Sequence, residues 1–344
     1  MDSVVLLQGL RQLSSLAAVS MTEQPFSGSA LLTPHGEGAR KGALNIVCLL
    51  SLTGLPCPEG SPLCDQKIKM NFGTWNVRTL LDNTDSKRPE RRTAVIAREL
   101  RHFKIDIAAL QETRRAGEGQ LKEEKGGYTF FWKGLPEEER RIHRVGFAVR
   151  NDLVKHLTET PTGINERLST FRINLAKNQQ ATIICAYAPT LDANEDIKEN
   201  FYCQLDTILS EISKEDKIIF LVDFNARVGQ DSDLWPGIIG KDGVRNRNSN
   251  GILLLTKCGE HNLVITNTLF RQKNKLKTSW KHPWSKHWHL LDYVITRARD
   301  RRDVLLTRAM TGANDCLTDH RLIGSTMAIK IAPKRRLRGR KIRR

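Results

Sequence analysis

Short apolar runs that end in polar residues recur along most of this chain, and this recurrence limits the possible folds more than any other feature. The runs alternate with polar stretches of helical period, which is typical of an α/β or α+β domain. The predicted strands cover residues 71–75, 105–110, 145–149, 169–175, 181–186, 218–222, 263–266 and 290–295. The same pattern predicts helices over residues 91–103 and 195–212.

The predicted domain begins at residue 67 and ends at residue 332. Residues 1–66 mix Gly, Ser and Pro with short apolar runs and show no sustained period, so we predict a poorly ordered N-terminal extension. Residues 43–55 are apolar but too few to span a bilayer, and we expect no membrane partner. Residues 333–344 are almost purely basic, which predicts a nuclear-localisation or phosphate-binding arm, with a solvated charged end as the alternative.

The charge balance favours a polyanionic partner. The 55 Lys and Arg residues exceed the 38 Asp and Glu residues, so the chain carries a formal charge of +17. A field of this sign attracts nucleic acids, although a basic protein without that function remains the alternative. The seven cysteines have no paired C-x-x-C spacing, which argues against zinc and disulfides and favours a reducing, intracellular environment.

Polar residues stand just past the carboxyl ends of several predicted strands, where a sheet edge can gather them into one cleft. A single Asp or Asn at such a place is more often a turn former or a helix cap. A series of them indicates a site. The segments are Trp75-Asn76-Val77-Arg78, Gln111-Glu112-Thr113-Arg114, Tyr187-Ala188-Pro189, Asp223-Phe224-Asn225, Asp292-Tyr293 and Asp319-His320.

In this order the motifs W-N, Q-E, Y-A-P, D-F-N, L-D-Y and D-H resemble the endonuclease/exonuclease/phosphatase superfamily, across roughly residues 68–330. More narrowly, residues 73–80, 223–229 and 285–293 are similar to the craniofacial development protein 2-like group, whose endonuclease domain is similar to those of RTE-type retrotransposons. The resemblance implies an α/β fold, the DNase I-like four-layer sandwich, in which two packed mixed β-sheets are flanked by helices.

The resemblance also implies a phosphodiesterase that depends on Mg²⁺, with Mn²⁺ as an alternative metal, and hydrolyses the DNA backbone as an endonuclease, including the abasic-site type. A hard cation on the phosphoryl oxygen suits this chemistry, because the phosphodiester charge repels nucleophiles. Glu112 would anchor the ion, and Asp319 would be the remaining acidic ligand. Asn76 would either orient the site or bind the metal through its amide oxygen. No organic cofactor is expected.

The resemblance assigns the reacting groups as well. Asp223 would orient and deprotonate the attacking water, and Asn225 would hold a phosphoryl oxygen. Asp292 would fix the ring of His320 and favour its charged form, which leaves the other ring nitrogen to donate to the phosphate. Tyr187 would donate to the same phosphate.

Nucleic-acid contacts are expected from the arginines of these segments, Arg78, Arg114 and Arg227, and from tryptophans in the stretch before Asp292. In the resembling group this stretch is a DNA-facing loop, which implies stacking or backbone contact by Trp280 and Trp288. The alternative is a surface loop that packs on its own aromatic side chains. The histidines of this stretch do not match a closed zinc site.

Three residues depart from the family pattern. Val222 stands where the family usually has Gly before the D-F-N turn, so a branched side chain could shift Asp223 or crowd the phosphate. Thr318 replaces Ser and keeps the hydroxyl, and Trp284 replaces an Arg. These changes support an alternative function, a catalytically impaired nucleic-acid or chromatin-binding protein derived from a retrotransposon endonuclease. Hydrolysis of phosphoinositides or small phosphates is a third hypothesis, which the charge of +17 disfavours.

Overall fold

The computed structural model describes residues 67–82, 91–133, 143–176, 179–312 and 318–330. The extension predicted for residues 1–66 and the tail predicted for residues 333–344 lie outside the described residues, so both stay predictions. Within the described part of the chain, no helix is long and apolar enough to cross a membrane.

Strands and helices alternate along the described chain. The strands are β1 (Ile68–Asn76), β2 (Ile107–Gln111), β3 (Glu118–Glu123), β4 (Tyr128–Lys133), β5 (Val145–Arg150), β6 (Thr162–Gly163), β7 (Leu168–Asn174), β8 (Gln180–Tyr187), β9 (Lys217–Asp223), β10 (Leu263–Ile265), β11 (Trp280–Lys281), β12 (Trp288–His289), β13 (Asp292–Arg297), β14 (Val304–Ala309) and β15 (Ile323–Ile329). The helices are α1 (Arg92–His102), α2 (Asn151–Val154), α3 (Glu195–Glu211) and α4 (Ser249–Glu260), with short 3₁₀ helices at Thr266–Thr268, Asn274–Leu276 and Ala298–Asp303.

Two mixed sheets form the body of the domain. The first has the order β14-β15-β1-β2-β5-β4-β3, and β1 runs parallel to β2 but antiparallel to β15. The second has the order β10-β13-β9-β8-β7-β6, and β9 runs parallel to β8 but antiparallel to β13. Strands β11 and β12 form a separate two-stranded hairpin.

Three apolar clusters separate the layers. The middle cluster lies between the two sheets and includes Phe147 from the first and Leu221 from the second. Helix α1 covers the outer face of the first sheet, where Ile96 is buried. Helices α3 and α4 cover the outer face of the second sheet through side chains such as Leu205 and Leu255. The predicted four-layer sandwich of two mixed sheets flanked by helices is therefore confirmed.

The eight predicted strands and two predicted helices all correspond to observed elements, with ends shifted by up to three residues. Strand β15 was not predicted, because it contains the small residues Gly324, Ser325 and Thr326 rather than an apolar run. The tertiary contacts explain two of these residues, since β15 lies between β14 and β1, where Ser325 Oγ lies 2.8 Å from Thr307 Oγ1 and Thr326 Oγ1 donates to Asn71 Oδ1 at 2.7 Å. Strands β3, β4 and β14, helix α4 and the hairpin were missed too.

The strand directions bring the polar segments to one edge of the sandwich. Strands β1, β2, β8 and β9 end there, and β13 begins there because it runs antiparallel to β9. The register pairs Tyr187 with Asp223 and Asp223 with Asp292 in the second sheet. In the first sheet it pairs Asn76 with Gln111, the residue before Glu112.

Candidate active site

Asn76, at the end of β1, connects the two halves of the candidate site. Its Nδ2 donates hydrogen bonds to Glu112 Oε1 at 2.8 Å and to Asp223 Oδ2 at 3.0 Å. Glu112 follows a strand of the first sheet, whereas Asp223 ends a strand of the second. The Asn76 Oδ1 atom accepts from the backbone N–H of Arg78 at 3.0 Å. In this arrangement the amide nitrogen, and not the amide oxygen, faces the two carboxylates.

Glu112 has a strained backbone, with a φ of 54°. A residue with a Cβ atom in this left-handed region costs about 1–2 kcal/mol, and such strain is concentrated at functional sites. The Oε1 atom of Glu112 accepts a hydrogen bond from Asn76 and a second one from the hydroxyl of Tyr187, at 3.0 Å. Burial, Asp223 and Glu112 raise the pKa of Tyr187 far above its usual value, so this phenol remains a hydrogen-bond donor.

Asp223 and Asp292 lie opposite each other on β9 and β13, and both side chains are fully buried. His320 Nδ1 lies 2.9 Å from Asp292 Oδ2 and 4.0 Å from Asp223 Oδ2. Burial and the negative charge of Asp292 raise the pKa of Asp223 to about 7. Burial alone would lower the pKa of His320, but Asp292, together with Asp223 and Asp319, outweighs this effect and raises it to about 9. The imidazole is therefore protonated at neutral pH.

Asn225 lies on the turn after β9 and has a left-handed backbone, with a φ of 47°. Its backbone N–H donates to Asp223 Oδ1 at 3.1 Å, whereas Asn76 donates to the other oxygen, Oδ2. The two hydrogen bonds together orient the Asp223 carboxylate. Its amide Nδ2 donates to the carbonyl of Ala188 at 3.0 Å and so links the turn after β9 to the segment after β8.

Asp319 is held by two residues that the sequence analysis assigned to nucleic acid. Its Oδ2 accepts from Trp280 Nε1 at 3.0 Å, and its Oδ1 forms an ion pair with Arg78 Nε at 3.0 Å. Arg114 lies 3.4 Å from Glu112 Oε2. The structure thus places Arg78, Arg114 and Trp280 against the carboxylates of the site, and it leaves both arginine side chains about half exposed.

The other two residues assigned to nucleic acid lie beside this cluster. Arg227 is half-buried on the turn after β9, and its positive charge acts on His289 of the hairpin. Trp288 is half-buried, and the guanidinium of Arg321 lies 3.4 Å from its ring centre. One face of the Trp288 indole is thus already stacked within the protein. Trp284, at the tip of the hairpin, is 89% exposed.

Val222 does not occupy the position that we expected. Its side chain is fully buried in the cluster on the outer face of the second sheet, among residues such as Phe220 and Phe224. Successive strand residues point to opposite faces, so Val222 points away from the face that carries the Asp223 carboxylate. The expected crowding of the phosphate by this side chain is therefore wrong. Thr318 keeps a useful hydroxyl, which donates to the Asn76 carbonyl at 2.8 Å.

Sequence reasoning missed several residues that support the site. Asn250, in the first turn of α4, is 3% exposed and donates to the carbonyls of Pro189 and Asn225, each at 3.1 Å. Ser279 Oγ accepts from the backbone N–H groups of Leu291 and Asp292. Asn248 caps the N-terminus of α4, since its side chain accepts from the backbone N–H of Gly251. No local sequence pattern indicates that this helix begins beside the site.

Sequence reasoning assigned no role to Gln111, although this residue directly precedes Glu112 in one of the six polar segments. Its side chain is fully buried between the sheets, where Nε2 donates to Thr74 Oγ1 at 3.0 Å and to the Leu221 carbonyl at 3.2 Å. The residue before Glu112 therefore links the first sheet to the second directly beneath the site.

The oxygen atoms of the site suit a hard divalent cation. Asp292 Oδ1 and Asp319 Oδ1 are buried and accept no hydrogen bond from the described residues, so each keeps a lone pair that a divalent cation could use. Ligand atoms of Asp223, Asp292 and His320 also lie within 4.8 Å of one another, but the protonated imidazole of His320 has no lone pair for a metal. A second such group, Asp206, Glu260 and His261, already surrounds an ammonium group, because Lys257 Nζ lies 2.6 Å from Asp206 and 2.8 Å from Glu260.

Comparison with known proteins agrees with this geometry. The Endonuclease/Exonuclease/phosphatase family matches residues 73–320. The chain is 31% identical over 266 residues to craniofacial development protein 2 of Bos taurus, an alignment that covers 76% of this chain and 42% of that protein. The chain therefore spans less than half the length of the curated relatives that it matches.

The fold is shared with solved structures, among them the following two. An AP endonuclease from Archaeoglobus fulgidus superposes with a TM-score of 0.53 at 14% identity, covering 75% of this chain and 99% of that chain. The endonuclease domain of TRAS1, a telomere-specific non-LTR retrotransposon, superposes with a TM-score of 0.50 at 15% identity, covering 76% of this chain and 99% of that chain.

Proposed function

Because this chain belongs to the endonuclease/exonuclease/phosphatase family, we propose that it hydrolyses the DNA backbone as a Mg²⁺-dependent endonuclease, including at abasic sites. The observation that supports this proposal best is the position of Asn76, which hydrogen-bonds to Glu112 and Asp223 from different sheets. This contact brings the carboxylate that we assign to the metal close to the carboxylate that we assign to water activation.

Asp223 is the general base of this proposal. Hydrogen bonds from Asn76 Nδ2 and from the backbone N–H of Asn225 fix its two oxygens. A base works best when its pKa lies near the working pH, and burial beside Asp292 raises the pKa of Asp223 to about 7. The carboxylate can therefore orient a water molecule and accept its proton at neutral pH.

His320 and Tyr187 are the proposed donors to the phosphate. Asp292 holds His320 through Nδ1, which leaves Nε2 to donate to a phosphoryl oxygen, and the raised pKa keeps the ring positively charged. The Tyr187 hydroxyl, which burial keeps protonated, would turn its single donor from Glu112 Oε1 to the same phosphate group when substrate binds. Asn225, anchored through Ala188, would hold a further phosphoryl oxygen. Fixed donors of this kind stabilise charge that develops in the transition state.

Glu112 and Asp319 are the proposed metal ligands, and the hydrogen bond from Asn76 Nδ2 orients Glu112. A bound Mg²⁺ ion would supply Lewis-acid polarisation of the phosphoryl oxygen. Mn²⁺ has similar oxygen preferences and is the alternative ion.

DNA is the proposed substrate because the chain carries a charge of +17. Positively charged surfaces bind the phosphate backbone with little regard to sequence, and the half-exposed side chains of Arg78 and Arg114 border the site. The similar structures, an AP endonuclease and a retrotransposon endonuclease domain, support the same substrate. The basic tail supports a nuclear location.

Nicking of supercoiled plasmid tests the proposal. Wild-type protein, Glu112→Gln and His320→Asn would be incubated with plasmid and Mg²⁺, and with EDTA as the metal-free control. We expect each substitution to lower the rate by about 100-fold or more. The matched control is His261→Asn, since His261 contacts Asp206 instead of the site and its loss should not affect nicking. Equal nicking by wild type and Glu112→Gln would contradict the proposal.

The same protein samples test the alternative function, a catalytically impaired protein that binds nucleic acid or chromatin. Salt-dependent DNA binding without Mg²⁺-dependent nicking by wild type would favour it. The orientation of Val222 removes one of the arguments for it, because this side chain lies in the outer core. Turnover of phosphoinositides or small phosphates in place of DNA would favour the third hypothesis.

A further inference from the structure

The active-site hairpin, formed by β11, β12 and their connection (residues 280–289), is attached to the D-H segment along its base. Lys281 N–H donates to the Asp319 carbonyl at 3.0 Å, and Arg321 N–H donates to the Ser279 carbonyl at 2.6 Å. Between these bonds, Trp280 pairs with His320 in an isolated antiparallel bridge. The hairpin is thus a direct neighbour of two residues that we assign to catalysis.

The side chain of Trp280 strengthens this attachment at one particular atom. Its indole Nε1 donates to Asp319 Oδ2 at 3.0 Å. The indole ring is half-buried, with its centre 6.3 Å from that of His320 and 5.8 Å from that of His289. A rigid aromatic side chain with only two χ angles has few alternative rotamers when it is packed in this way, so its N–H has a fixed direction.

The two oxygens of Asp319 consequently differ. Oδ2 accepts the indole N–H, whereas Oδ1 accepts no hydrogen bond from the described residues and forms an ion pair with Arg78 Nε at 3.0 Å. The Arg78 side chain is 55% exposed, and ion pairs of such exposed side chains hold geometry weakly. The indole is therefore the main restraint on the direction of the carboxylate.

We propose that Trp280 is a positioning residue that turns the Oδ1 atom of Asp319, which accepts no hydrogen bond from the described residues, toward the divalent cation, an inference that rests on the proposed function. The indole N–H of Trp280 thus acts within the candidate active site. Residues that orient metal ligands typically change metal affinity about 10- to 100-fold when they are removed.

Metal affinity measured without DNA tests this role directly. The probe is Mn²⁺ alone, and its free concentration is followed by electron paramagnetic resonance during titration of the full-length protein. Trp280→Phe keeps an aromatic ring and removes only the N–H donor. We expect this variant to bind Mn²⁺ about tenfold more weakly than wild type.

The matched control is Trp284→Phe at the tip of the same hairpin. The Trp284 side chain is 89% exposed, whereas the indole N–H that bonds to Asp319 Oδ2 belongs to Trp280, so this variant should bind Mn²⁺ like wild type. The control shows whether an altered hairpin aromatic is sufficient to weaken metal binding.

A double-mutant cycle with Asp319→Asn separates positioning from a loss of folding. If Trp280 acts through Asp319, Trp280→Phe should have no further effect on Mn²⁺ affinity in the Asp319→Asn background. An equal loss in both backgrounds, or an unchanged affinity of Trp280→Phe while wild type binds Mn²⁺ and nicks plasmid, overturns this inference alone. A wild-type protein that neither binds Mn²⁺ nor nicks plasmid overturns the proposed function and this inference together.

Discussion

Asp223 and Asp292 face each other across antiparallel strands, so that two fully buried carboxylates lie next to a single histidine. Like charges at this separation disfavour double ionisation, and the imidazolium of His320 relieves the repulsion. The pKa values of Asp223 and His320 are both raised in this arrangement, and each depends on the charge of the other.

The first prediction concerns stability as a function of pH. His320 has a pKa of about 9 in the folded protein against 6.5 in a free side chain, so its contribution is complete below pH 6.5 and is lost as the pH rises through about 9. The pKa of Asp223 is also raised, from 3.8 to about 7, so its contribution is likewise lost with rising pH. We expect the melting temperature in EDTA to fall from pH 6 to pH 10.

In Asp292→Asn the partner of His320 is neutral, and the melting temperature should fall less steeply over the same pH range. Circular dichroism melting curves at each pH measure this difference. Parallel curves for the two proteins would show that Asp292 does not set the charge of His320.

The second prediction concerns the amide that joins the two sheets. Asn76→Asp replaces a shared donor with a third carboxylate between Glu112 and Asp223, and a buried, unpaired charge costs about 3 kcal/mol or more of unfolding free energy. Asn76→Ala loses the hydrogen bonds without adding a charge and should cost less, about 2 kcal/mol. Urea denaturation in EDTA compares the two, and a more stable Asp variant would refute the assigned contacts.

The third prediction concerns Val222. Because its side chain is fully buried in the outer core, Val222→Gly should create a cavity and lower the unfolding free energy by about 3 kcal/mol. Nicking per folded molecule should not increase, since the removed side chain points away from Asp223. Urea denaturation and plasmid nicking on the same samples measure both, and a gain in nicking would restore the idea that Val222 impairs the site.

The fourth prediction concerns Asn250, which ties the turns after β8 and β9 together. Asn250→Ala removes two buried hydrogen bonds and should lower the unfolding free energy by about 2 kcal/mol. We also expect about tenfold slower nicking, because Asn225 loses a restraint on its left-handed turn. The exposed Asn200→Ala on α3 is the control, and equal rates for the two variants would show that this tie is dispensable.

Much of the fold and the membership of the family could be predicted from the sequence. Strands β1, β2, β8 and β9 are apolar runs with polar residues at their ends, and the parallel pairs bring those ends together. Asn76, Glu112, Tyr187, Asp223, Asp292 and His320 do meet at one edge, and the similarity to craniofacial development protein 2 is confirmed at 31% identity. Their catalytic roles stay predictions.

Other features depend on tertiary contacts that no local pattern encodes. The bond between Trp280 and Asp319 joins residues 39 positions apart and requires the bridge that sets the hairpin beside the D-H segment. The suggestion that Val222 crowds the phosphate was wrong, because a motif comparison takes no account of which face of a strand a side chain occupies. Strand β15 was missed because contacts with neighbouring strands, rather than its own composition, account for Ser325 and Thr326.

Gln111 implies that activity in this domain depends on how the whole sandwich is packed. Its side chain joins Thr74 of the first sheet to the Leu221 carbonyl of the second. Glu112 and Asp319 belong to one side of that junction, and Asp223 and Asp292 belong to the other. A slip of one sheet against the other by a fraction of an ångström would therefore misalign the proposed base and the proposed metal ligands together. Core substitutions far from the phosphate, such as Phe147→Ala between the sheets, should accordingly act as active-site mutations.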